Sequence, residues 1–98
     1  MEYNITVTKH ASLRMRKRLG IPKKSVNKIS TKAYWLGVGE SQVSGVLKKY
    51  IQEKNEKGYV FRTYKIYGND IYVFDQLILI TVMHIPGRYQ KYLNNTLH

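Results

Sequence analysis

His10 is followed by Arg14 four residues later and Arg18 four after that, with Lys17 between them, inside the stretch KHASLRMRKRLGIPKK at positions 9–24. A base that can accept a proton, set beside fixed cations that can hold a phosphate, is the equipment for cleaving RNA through its own 2′-hydroxyl. Side chains four apart on a helix stack above one another, so His10, Arg14, Lys17 and Arg18 fall on one stripe. Ala11, Ser12, Met15 and Leu19 share the adjoining sector, which faces the core, and Lys9 and Arg16 are left to solvent. In the first turn His10 meets free backbone N–H groups, the positive end of the helix dipole and Arg14, all of which favour an uncharged imidazole.

A second histidine, His84, closes the run LILITVMH. Alternation puts it on the same face as Ile80 and Val82. A strand end lying beside the start of the first helix would make His10 and His84 a base and acid pair; a bond from His84 to a nearby carbonyl is the structural alternative. Lys9, Lys17, Lys23, Lys24, Lys65 and Arg88 are candidate phosphate contacts, and Tyr72, with Tyr59 and Tyr67, is a candidate for stacking on unpaired bases. Arg62 and Asp75 suit a cross-strand ion pair. Three scattered histidines and six scattered acids offer no metal-ligand spacing. Gly37-Val38-Gly39 lacks the glycine spacing of a phosphate loop, so no cofactor is expected.

The charge balance favours the same ligand class. Net charge is +11, and residues 1–32 hold nine Lys and Arg against Glu2 alone, so +8 of it lies in the first third of the chain. Such an end attracts nucleic acid, RNA more readily than DNA on the reading above, or an acidic protein. With 98 residues and no cysteine, the chain describes a single domain, 1–98, without disulfides or thiolate metal sites, and a reducing cytoplasm is its expected home. LILITVM is too short to span a bilayer, and MEYNITVT lacks the layout of a signal peptide, so no membrane partner is expected.

These side chains need elements to position them. YNITVT reads as a short strand, and Thr8 is an N-cap for a helix over Lys9–Leu19 that Gly20 stops. A second helix over Pro22–Leu36 turns Val26, Ile29, Ala33 and Leu36 inward. A third carries Val43, Val46, Leu47, Tyr50 and Ile51 at helical spacing. Three strands follow, about 59–67, 71–75 and 77–84. A Gly68-Asn69 hairpin pairs Tyr67 with Asp70 and Ile66 with Ile71, and an Asp75-Gln76 turn sets Val73 beside Ile78. The helices then pack on Tyr64, Ile66, Ile71, Val73, Ile78, Ile80 and Val82. The other face, with Phe61, Thr63, Lys65, Tyr72, Phe74, Leu77, Leu79 and Met83, is too apolar to stay bare. The tail RYQKYLNNTLH suits a short helix. The fold class is α+β: N-terminal helices on one face of a small antiparallel sheet, with a short N-terminal strand.

KHASLRMRKRLGI resembles the His-Ala-x-x-Arg-Met-x-x-Arg opening of a group of small bacterial and phage domains in the RelE, barnase and colicin D-like ribonuclease superfamily. The order of strand, His-bearing helix, further helices and a closing sheet ending in LILITVMHIP is similar too. The resemblance covers about half the chain; the middle, with Trp35 and the third helix, is longer and more helical than the group's pattern. It implies a metal-independent endoribonuclease, often a toxin, with His10, Arg14 and Arg18 as active residues. The alternative is a non-catalytic nucleic-acid-binding or protein-interaction module, such as a phage regulator or inhibitor, whose same basic face meets nucleic acid or an acidic partner such as an antitoxin.

Overall fold

In the computed structural model, residues 5–43, 45–55 and 62–96 are described; Tyr59 and Phe61 lie outside them. The elements run β1 (Thr6–Val7), α1 (Lys9–Arg18), α2 (Val26–Leu36), β2 (Val38–Gly39), α3 (Gly45–Lys54), β3 (Arg62–Tyr67), β4 (Asp70–Asp75), β5 (Ile78–His84) and α4 (Gly87–Thr96). This is the expected α+β class. The sheet is five-stranded, in the order β1-β5-β4-β3-β2. It is mixed rather than purely antiparallel, because β1 runs parallel to β5 at one edge.

Thr8 caps α1 as its residue type suggests: its side-chain oxygen accepts from the Ala11 N–H at 3.1 Å. At the other end Gly20, at φ +69°, turns the chain so that the N–H of Ile21 joins that of Leu19 on the Met15 carbonyl. α2 starts later than expected, after a 3-10 turn over Lys23–Ser25. Its end leaves no room for a side chain. A Cβ on Gly37 would lie 2.4 Å from the Ala33 carbonyl oxygen and 3.0 Å from that of Ile66.

The first hairpin has the expected register, Tyr67 with Asp70 through Arg62 with Asp75, and Gly68 supplies the positive φ its turn requires. The second departs from expectation. Its turn falls on Gln76-Leu77, with Gln76 at φ +56°, so Asp75 rather than Val73 lies beside Ile78. A bulge follows: Phe74 pairs with Leu79 and Val73 with Thr81, leaving Ile80 as the extra residue. Alternation is reversed beyond that point. Val82 therefore joins Tyr72, Phe74 and Leu79 on one face, while Ile80 packs on the other.

That reversal accompanies a second correction. The face formed by Tyr72, Phe74, Leu79 and Val82 packs with Ala11 and Met15 of α1 and Val26 and Ala33 of α2. The face expected to take all three helices, Tyr64, Ile66, Ile71 and Val73, takes α3 as expected, through Leu47 and Ile51, together with Val43 before it and Leu93 of α4, but not α1. Both faces are covered, which removes the bare apolar surface. At about 1.5–3 kcal/mol for each large apolar side chain fully buried, each cluster is a substantial source of stability. Leu36 and Val46, expected inward, are exposed.

Candidate nucleic-acid interface

α1 lays its buried side, Ala11 and Met15, on the sheet and exposes Lys9, His10, Leu13, Arg16, Lys17 and Arg18 to water. Met15 is held from behind by Ser30 of α2, whose hydroxyl donates to the Val26 carbonyl at 2.7 Å and approaches the Met15 sulfur at 3.4 Å. The helix is therefore fixed, and its outer side chains stand on a rigid base.

His10, Leu13, Arg14, Lys17 and Arg18 line an open groove of about 220 Å³ on that outer side. The structure thus joins His10 to the two arginines and Lys17. Arg14 Nε donates to His10 Nε2 at 2.7 Å. To accept that hydrogen bond the ring must offer a lone pair at Nε2, so in this arrangement it is the uncharged tautomer with hydrogen on Nδ1. The bond leaves the terminal nitrogens of Arg14 for another acceptor.

Leu13, 45% exposed, forms a ridge. Across it, Val7, Lys9, Ser12, Leu13, Arg16 and Lys23 line a second open groove of about 520 Å³. Lys9 and Lys23 are thereby brought together. Arg16, set aside from the sequence as merely solvent-facing, belongs with them. The 9, 12, 13, 16 spacing carried that information, since it is a helical stripe of its own. Lys24 is exposed on the 3-10 turn beside Lys23.

His84 does not enter the His10 groove, whose lining residues all belong to α1. The bulge puts it on the Val82 side of the sheet, opposite Asp70, and not with Ile80 as expected. Its Nδ1 lies 2.8 Å from Asp70 Oδ1, and the histidine side chain is 58% exposed. Gln90 Nε2 donates to the Ile85 carbonyl at 2.9 Å and lies 3.2 Å from His84 Nε2. Both ring nitrogens are thus engaged, and the Ile85 N–H donates to the Asn69 carbonyl at 3.0 Å. The cluster pins the first hairpin to the start of α4, a structural role that the hairpin register alone did not reveal.

Tyr72 is 2% exposed and sealed beneath α1 and α2, so it cannot stack on a base. Burial pushes its hydroxyl pKa well above the usual tyrosine range, with Asp70 adding to the effect. Tyr67 meets Tyr72 edge-on and packs against the same core. Lys65 lies with its Nζ 5.9 Å from the centre of the Tyr34 ring, and the Arg88 guanidinium lies 4.9 Å from that of Tyr89. Neither belongs to the α1 grooves.

Among the described residues, no three His, Asp or Glu side chains come together to hold a metal ion, and no helix is long and apolar enough to cross a membrane. Comparisons with protein-family models, with curated proteins and with solved structures found no match.

Proposed function

We propose that this protein binds nucleic acid along α1 and cleaves RNA there without a metal ion, as an endoribonuclease of the RelE-like toxin type. The observation that carries the reading is the Arg14–His10 hydrogen bond on an exposed basic helix face. A phosphate entering the groove draws the Arg14 guanidinium onto its oxygens, which frees His10 Nε2 to take the proton of the adjacent 2′-hydroxyl. The 2′-oxygen attacks phosphorus and the bond to the 5′-oxygen breaks. The departing oxygen takes a proton from water, and the hydroxide so formed takes the proton from His10, leaving a 2′,3′-cyclic phosphate, a 5′-hydroxyl and the uncharged ring. Lys17 and Arg18 share the charge that builds on the phosphoryl oxygens. An acidic antitoxin laid over the same face would close the groove, and the positive charge of that face supports such a partner.

His10→Ala is the discriminating variant. Incubated with a defined RNA in chelator, wild type should yield cyclic-phosphate ends while His10→Ala yields none and keeps most of its RNA affinity. Equal cleavage by both would remove His10 from the mechanism. A second reading, a nucleic-acid-binding module without catalysis, is favoured by one feature: the groove holds no other ionisable group suited to proton transfer at neutral pH. Intact RNA with wild type, at concentrations that saturate binding, would select it.

A further inference from the structure

The outer face of α2 has no place in the reading above. Relative to Lys28 at 0°, helical geometry of 100° per residue puts Lys32 at about 40°, Trp35 at about −20° and Leu36 at about 80°, directed away from buried Val26, Ser30 and Ala33. All four are exposed. α2 contains no acidic residue, and exposed Lys24 continues the same line into the 3-10 turn.

A lysine stripe alone is usually a solvated surface. The indole is the unusual feature, because Trp is largely buried on average and here is 41% exposed at the end of that stripe. It is also braced. Tyr34 meets Trp35 edge-on, with ring centres 5.0 Å apart, and Tyr34 in turn meets fully buried Phe74 edge-on at 5.1 Å. Lys65 approaches Tyr34 from β3, adding a cation beside the aromatic pair.

We infer that this face is a second binding surface, for single-stranded nucleic acid, on which Lys28 and Lys32 contact backbone phosphates while Trp35 stacks on an unpaired base. Lys28 and Lys32 are about 6 Å apart along the helix axis and so meet separate phosphates. A rigid, partly exposed ring beside a run of cations is how sequence-tolerant single-strand binders work: charge tracks the backbone and the π-face takes any base. The surface lies on a different helix from His10 and needs no catalysis.

Trp35 is the single tryptophan of the chain, so its emission reports the contact directly. The full chain is titrated with an uncleavable 2′-O-methyl single-stranded oligonucleotide carrying a dye for anisotropy, and in parallel with an abasic oligonucleotide of equal length. The expected result is saturable quenching of Trp35 by the first at the concentration where anisotropy rises, and little quenching by the second. Trp35→Ala should weaken binding roughly tenfold. Lys28→Gln with Lys32→Gln should lower the salt slope by about 1.4. Binding with unchanged Trp35 emission, or quenching equal for the abasic strand, overturns the proposal and leaves the His10 reading intact. Unchanged binding in Arg14→Ala and Arg18→Ala, with Trp35 quenched as before, does the reverse. No binding at all overturns both.

Discussion

Replacing Arg14 with alanine removes one of three cations from the His10 groove, the others being Lys17 and Arg18. For a single strand, each phosphate neutralised contributes about −0.7 to the slope of log K against log salt. Three such contacts give this groove about −2.1, so its share of the affinity falls roughly 18-fold between 50 and 200 mM salt. With Arg14 gone the slope should become less steep by about 0.7, and the same salt step should cost about 7-fold. His10→Ala should leave the slope unchanged, because a ring that accepts a hydrogen bond from the Arg14 N–H carries no charge. Anisotropy of a labelled 2′-O-methyl oligonucleotide at four or five salt concentrations measures both variants without cleavage. An unchanged slope in Arg14→Ala would refute the groove as a phosphate site. A slope lowered equally by His10→Ala would refute the uncharged imidazole.

Gly37→Ala should destabilise the fold by about 1–3 kcal/mol in chemical denaturation, since its methyl group would meet the Ala33 carbonyl at 2.4 Å where α2 abuts β3. Stability should fall as pH rises above about 10, where the unfolded chain releases tyrosine protons that the folded chain retains. Tyr72 and Tyr64 both have raised values through burial, so Tyr72→Phe should flatten that fall in thermal melts recorded across alkaline pH. His84→Ala should cost about 1 kcal/mol or less, because the His84 side of the Asp70 pair is 58% exposed, and should leave RNA affinity and cleavage as in wild type. Loss of cleavage in that variant would return His84 to the active site.

The α1 stripe was legible because it depends only on local geometry. Thr8, Gly20 and the four-residue spacing from His10 to Arg18 fix the helix and its faces without reference to the rest of the chain. The first hairpin was legible for the same reason, through Gly68-Asn69. What could not be read was parity beyond the second turn. One extra residue at Ile80 reversed which side Val82 and His84 occupy, and the sequence LILIT carries no glycine or proline to mark the bulge. From that one residue came the misplacement of His84. Which helices cover which face also lay beyond local signals, because both sides of the sheet are apolar and α3 fits one as well as α1 fits the other. Tyr72 shows the consequence: its alternation was read correctly, but its exposure depended on which helices arrived above it.

The Arg14–His10 bond bears on both proposed activities, and its energetics decide how they relate. As found, the bond occupies the one lone pair of the uncharged ring, so the free protein has no available base in this groove. Breaking a hydrogen bond on an exposed helix face costs little, about 1 kcal/mol, because water replaces it. The imidazole bond has one charged partner, whereas a bond from the same guanidinium to a phosphate has two and can be bidentate, so it is the stronger. Moving Arg14 from imidazole to phosphate is therefore favourable once a phosphate is present and unfavourable without one. In the proposed reaction, substrate arrival and release of the base are then a single event. Anion binding along α1 becomes a precondition for catalysis rather than a rival explanation of its charge.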